Sequence, residues 1–89
     1  MKLEFKKSFA KDLKKRSGDA DFRKRIYEVI HEVENAETLD QIRNLKKLKG
    51  ESNYYRLRHG DYRIGLIIEH DVVKFVRVLH RRDIYRYFP

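Results

Sequence analysis

Between residues 54 and 80 the chain alternates apolar β-formers with arginine and breaks the alternation twice, at His59-Gly60-Asp61 and at His70-Asp71. A period of two sends successive side chains to opposite faces, and the two breaks carry residues suited to tight turns. The pattern predicts a three-stranded antiparallel meander with cationic side chains along its surface. In the first strand Arg56 and Arg58 oppose Tyr55 and Leu57, and in the second Arg63 opposes Tyr62, Ile64 and Leu66. With the apolar sets turned to the core, the three arginines share the open face. Gly65, on the arginine side, leaves a gap for a ligand or another backbone. The third strand admits two parities: Val76 and Val78 inward, which carries His80 inward too, or Val73, Phe75 and Leu79 inward. A bulge or the strand end near His80 is needed to reconcile them.

The preceding residues read as the support for this sheet. Leu3 and Phe5 alternate with polar residues and suit a short strand that joins it. Ser8 offers an N-cap to a lysine-rich helix with Phe9 and Leu13 at i and i+4, closed by Ser17-Gly18. Phe22, Ile26, Val29, Ile30 and Val33 then mark one stripe of a second helix, capped by Asp19 or Asp21. Its charged opposite face reads as solvated. Thr38 and Gln41 form a capping-box pattern, and Leu39, Ile42, Leu45 and Leu48 recur every third residue, as a helical turn or an ordered loop requires. The expectation is one α+β domain over residues 1–89: an N-terminal strand and a two-helix hairpin packed on an antiparallel sheet, with a short C-terminal segment.

Charge and composition narrow the chemistry. The 22 Lys plus Arg against 14 Asp plus Glu leave a formal charge of +8, and a pI near 9.8 fits a nucleic-acid partner, an anionic membrane or an acidic protein. The absence of cysteine removes disulfides, thiolate metal sites and thiol nucleophiles. His31, His59, His70 and His80 show no zinc-ligand spacing, so no metal and no cofactor is expected. No run approaches the roughly 20 apolar residues of a membrane span, and the first residues do not resemble a signal peptide, so a cytoplasmic protein without membrane contact is expected.

Arginine presents a rigid fork of donors that matches phosphate oxygens and stays charged at physiological pH. Several on one face make an anion cradle, able to stabilise the extra charge of an in-line phosphodiester transition state. A 2′-hydroxyl can then serve as nucleophile without a metal, which makes RNA the substrate. Such a reaction needs a proton donor and acceptor, and His80, among Arg81, Arg82 and Asp83, is one candidate. Tyr85 and Tyr87 either stack a base or move a proton, or pack the C-terminal segment together with Phe88. Lys46, Lys47 and Lys49 either form a basic rim for an RNA backbone or keep the surface soluble. Arg77 and Arg81 extend the cationic surface.

The order of elements and four segments resemble the RelE/ParE superfamily of bacterial toxins of type II toxin–antitoxin systems. They are Lys47-Leu48-Lys49-Gly50, Tyr55-Arg56-Leu57-Arg58, Gly60-Asp61-Tyr62-Arg63-Ile64 and His80-Arg81-Arg82-Asp83-Ile84-Tyr85-Arg86. The resemblance implies an endoribonuclease that cuts messenger RNA in the ribosomal A site and is neutralised by a cognate antitoxin, expected to be acidic. It implies roles in phosphate binding for Arg56 and Arg58, in transition-state stabilisation for Arg63, and a matching arginine at Arg82, with Arg81 a possible substitute. His80 and Tyr85 or Tyr87 match positions of proton transfer. The best-known members carry lysines where this chain has Arg56 and Arg58, and the exchange keeps anion binding while removing a proton-transfer role there. Gyrase-directed members share the fold and much of the arginine pattern, so a gyrase inhibitor is the alternative, with a non-catalytic RNA- or protein-binding module as a third reading.

Overall fold

The structure, a computed structural model, describes residues 1–50 and 53–89. Its elements run β1 (Lys2–Phe5), α1 (Lys7–Lys15), α2 (Ala20–Asn35), a single 3₁₀ turn (Leu39–Gln41), β2 (Leu45–Lys47), β3 (Tyr54–His59), β4 (Tyr62–Glu69), β5 (Val72–His80) and α3 (Ile84–Tyr87). Among the described residues the five strands form one sheet in the order β1-β5-β4-β3-β2. The α+β class and the β3-β4-β5 meander follow the sequence. The sheet is mixed, because β1 joins β5 in parallel while the other pairs are antiparallel.

The turns have the predicted chemistry. Gly60 takes φ 59° at the start of the β3–β4 turn, a left-handed conformation that glycine adopts without steric cost. His70 and Asp71 both adopt positive φ, 49° and 66°, as a two-residue turn of the I′ kind demands.

The register settles the third strand. Gly65 pairs with Arg77 while Leu66 pairs with Phe75, so Val76 is the extra residue of a bulge. Both parities are therefore realised, one on each side of it: Val73 and Phe75 are buried before the bulge and Val78 after it. The bulge is what lets Arg77 and Leu79 share rows with Arg56 and Arg63 on the open face.

The predicted stripe of α2 is the core: Phe22, Ile26, Val29 and Val33 are buried against Leu57, Ile64, Leu66 and Phe75. Asp19 is its cap, accepting from the Phe22 N–H at 3.0 Å. Two expected caps do not form. Lys6 occupies the N-cap position of α1, and the Ser8 hydroxyl donates instead to the Val76 carbonyl on β5. Thr38 makes no side-chain cap, and Gln41 Oε1 accepts from the Glu37 N–H at 2.7 Å, so the capping box fails while the turn it marked is present. Beyond it, Leu45 to Lys47 extend into an edge strand that pairs with β3.

Helix α1 has a second task. β1 pairs with β5 only as far as Phe75, leaving the rest of that edge open. The Lys6 N–H continues the pairing by donating to the Phe75 carbonyl at 2.9 Å, Ser8 then takes the Val76 carbonyl, and Asp12 accepts from the Val78 N–H at 3.0 Å. Side chains one helical turn apart thus satisfy an edge that would otherwise be unpaired.

Candidate functional site

The open face of the sheet is organised by two cross-strand rows. One runs Lys46, Arg56, Gly65, Arg77 across β2 to β5, and the next runs Arg58, Arg63, Leu79. Residues directly opposite in a sheet hold their side chains within a few ångströms, so Arg58 and Arg63 are like charges placed face to face. Local propensity gives no reason for this pairing, and it costs stability.

Arg63 is the centre of the cluster. Its Nη1 donates to the carbonyls of Gly60 and Tyr62 at 2.9 and 3.0 Å, which anchors the guanidinium at the β3–β4 turn. Its pKa is pushed down, first by burial and then by the charges of Arg56, Arg58 and Arg81, with Tyr85 acting in the opposite sense. Arg56 Nε donates to the Tyr85 hydroxyl at 3.2 Å, and Arg58 reaches Asn44 Oδ1 at 3.5 Å. Among the described residues the salt bridges are Arg25–Asp21, Arg43–Glu32 and Arg77–Asp12, so no carboxylate neutralises Arg56, Arg58, Arg63 or Arg81. A cluster of cations held together by neutral groups is poised for an external anion.

Other residues singled out from the sequence divide between this face and elsewhere. Tyr85 is at the cluster and 62% exposed. Tyr87, also exposed, lies with its ring 5.6 Å from the Arg77 guanidinium. Phe88 is buried and Ile84 with it, so in the C-terminal segment these two pack while both tyrosines stay exposed. Arg77 is not a free cation: Asp12 grips it through Nε at 2.8 Å and Nη2 at 3.0 Å, and its pKa is raised chiefly by that hydrogen bond. Lys46 shares the Arg56 row, whereas Lys47 pairs with Tyr55 and so points to the other face. Lys49, beyond β2, is exposed. The gap expected at Gly65 is filled by the Phe88 ring.

His80 and Arg82 stand together on the opposite side of β5 from the cluster. His80 pairs with Tyr62, its ring packs edge-on against that tyrosine at 5.9 Å, and its Nδ1 accepts from both Arg82 N and Arg82 Nε at 3.2 Å. The nearby hollow of about 270 Å³ is lined by Asp12, Lys15, Arg16, Val78, Leu79, His80 and Asp83, which mixes charge signs. Arg81, one residue on, differs from Arg82 in that its charge acts on Arg63. Sequence reasoning missed Asp12 altogether; its only trace is an isolated acid four residues after Ser8 in a lysine-rich helix. Among the described residues, no cluster of His, Asp and Glu could hold a metal ion, and no helix is long and apolar enough to cross a membrane.

Comparison with known proteins agrees with this fold. Residues 3–85 match the family described as ParE toxin of type II toxin-antitoxin system, parDE. The chain is 49% identical over 90 residues to Toxin RelE3 of Methanocaldococcus jannaschii, and the alignment spans 100% of both chains. It is also similar to a solved RelB-RelE antitoxin-toxin complex from Methanococcus jannaschii, at 46% identity and TM-score 0.78, covering 97% of this chain and 99% of that one. The archaeal RelE-RelB complex of Pyrococcus horikoshii OT3, at 24% identity and TM-score 0.70 over 90% of this chain and 93% of that one, shares the fold. A family match over residues 3–85, with a RelE toxin as a full-length relative, makes this chain a member of the ParE/RelE family of type II toxin–antitoxin toxins, on its RelE-like side.

Proposed function

We propose that this toxin is a ribosome-dependent endoribonuclease that cuts messenger RNA without a metal ion and so arrests translation. The observation that carries the proposal is the cluster of Arg56, Arg58, Arg63 and Arg81 with Tyr85, unneutralised by any described carboxylate. The arginines bind the scissile phosphate and stabilise the charge that builds on it in the transition state. The 2′-hydroxyl attacks, the 5′-oxygen leaves, and a cyclic phosphate remains. Arginine has no acceptor and does not release its proton, so the two proton movements fall to other groups. Tyr85, whose hydroxyl oxygen already accepts from Arg56, stands on the same face as the phosphate site. His80, on the far side of β5, stands behind it.

A cognate antitoxin holds the toxin in check, and a net charge of +8 suits an acidic one. The site of action is the cytoplasm, where translating ribosomes are. The family description also names ParE, which keeps a gyrase-directed toxin as the second reading.

Induction in bacterial cells, with new 5′ ends mapped on abundant messages beside a DNA-damage reporter, separates the two. In-frame, codon-dependent cuts in translated regions are the expected result. Growth arrest with intact messages and an active reporter would move the assignment to gyrase, and no arrest would leave a binding module. Within the nuclease, Arg81→Ala is expected to reduce cleavage by about tenfold more than Arg82→Ala, because the Arg81 charge acts on Arg63 whereas the Arg82 side chain is turned to His80 Nδ1. Equal losses in a single-turnover cleavage assay would put Arg82 back in the site.

A further inference from the structure

The C-terminal helix lies across a single cross-strand row. Tyr85, Phe88 and Tyr87 meet, in turn, Arg56 on β3, Gly65 on β4 and Arg77 on β5, which are partners in the sheet register. The middle contact is the tightest. A Cβ built on Gly65 would stand 2.6–2.7 Å from three ring carbons of Phe88, closer than a methyl group can approach. The ring has no room to retreat, since it is 2% exposed and packs against Tyr54 at a centroid distance of 5.4 Å. Gly65 itself has no positive φ, so its backbone would accept alanine and only the overlying ring refuses it.

We propose that Gly65 is a positioning residue of the site: it is the seat for Phe88, and the seated Phe88 sets the Tyr85 hydroxyl against Arg56 at the arginine cluster. The assignment rests on the nuclease reading for its catalytic consequence and on geometry alone for the seat. A helix of four residues, Ile84–Tyr87, cannot hold its own conformation in water, so what fixes Tyr85 is where its flanking side chains are buried. Ile84 anchors one end, at 0% exposure, and Phe88 the other. An error of one ångström at the reacting group costs an enzyme far more activity than it costs stability.

The test compares wild type, Gly65→Ala and the double variant Gly65→Ala/Phe88→Leu in the full chain. Amide hydrogen exchange at Arg86 and Phe88, whose N–H groups donate to Asp83 and Ile84 carbonyls at 3.1 and 2.8 Å, reports whether α3 is docked, independently of activity. In Gly65→Ala this exchange is expected to accelerate by about tenfold or more while β4 and β5 stay protected. The saturating cleavage rate on programmed ribosomes falls by about tenfold or more, with the affinity for ribosomes little changed. Replacing the planar ring by the shorter leucine opens space over the new methyl, so the double variant recovers both protection and rate. Unchanged exchange in Gly65→Ala, or no recovery in the double variant, overturns the seat. Faster exchange with undiminished cleavage overturns the positioning role. A wild type that cuts no message defeats the nuclease reading, and the exchange data then decide the seat by themselves.

Discussion

Arg63→Ala is expected to lower message cleavage by about 10²–10³-fold, the cost of deleting one preorganised donor aimed at transition-state charge. The same substitution should leave the free energy of folding within about 1 kcal/mol of wild type, because opposed effects on stability offset each other. Its guanidinium loses two hydrogen bonds at the turn, to the exposed Gly60 carbonyl, which water can take over, and to the part-buried Tyr62 carbonyl. Against that, the folded state is relieved of a cation that faces Arg58 directly and sits in the field of Arg56 and Arg81. The depressed pKa of Arg63 has the same sense: burial first, and then the neighbouring arginine charges, disfavour the charged form on folding, and removing the charge removes that penalty. Arg63→Lys keeps a point charge and loses the fork, so its activity should fall between the two. Single-turnover cleavage with a urea titration of each variant makes the comparison. Cleavage at the wild-type rate in Arg63→Ala would remove the arginine cluster from the mechanism, and a large loss of stability would make Arg63 a structural residue.

The parts of the fold that could be read from the sequence are those whose signal is a side-chain period. The α2 stripe and the meander are of this kind: Phe22, Ile26, Val29 and Val33 are buried as one face, and Leu57, Ile64 and Leu66 as another. The same period places Arg56, Arg58 and Arg63 on one shared face. What escaped depends on backbone pairing, which leaves little mark on residue type. The bulge at Val76 reverses the parity of β5 midway, and valine on either side of it looks the same. Because of that reversal Arg81 joins the cluster while His80 turns to the helix side, an outcome that spacing alone left open. β2 escaped for a related reason: it has three residues, holds its place by hydrogen bonds to β3, and only Leu45 is drawn toward the core. Gly65 was legible as a place of close approach. Its occupant was not, since Phe88 is 23 residues away and the docking of α3 is a tertiary event.

The second large effect lies away from the arginine cluster. Asp12→Ala is expected to destabilise the fold by on the order of 3 kcal/mol, because the carboxylate is buried and accepts three hydrogen bonds. It is 5% exposed and takes Arg77 Nε, Arg77 Nη2 and the Val78 N–H at 2.8, 3.0 and 3.0 Å. Truncation leaves a buried backbone N–H on the β5 edge with no acceptor and strips Arg77 of its counter-ion. The raised pKa of Arg77 keeps that guanidinium charged in the folded state at any pH the fold will meet, so it cannot escape by losing its proton. Stability drawn from a raised pKa is fully present below the ordinary arginine value, and the arginine half of the pair therefore adds no pH dependence near neutrality. Asp12→Asn keeps one acceptor for Val78 but gives up the charge and one bond to Arg77, and should cost about half as much. A urea titration would show a lower midpoint with an unchanged slope, since the folded surface stays the same. Tyr87, held over the Arg77 guanidinium, should also loosen in both variants. A loss below about 1 kcal/mol for Asp12→Ala would mean that water replaces the carboxylate at the β5 edge, and that α1 is held by its apolar contacts alone.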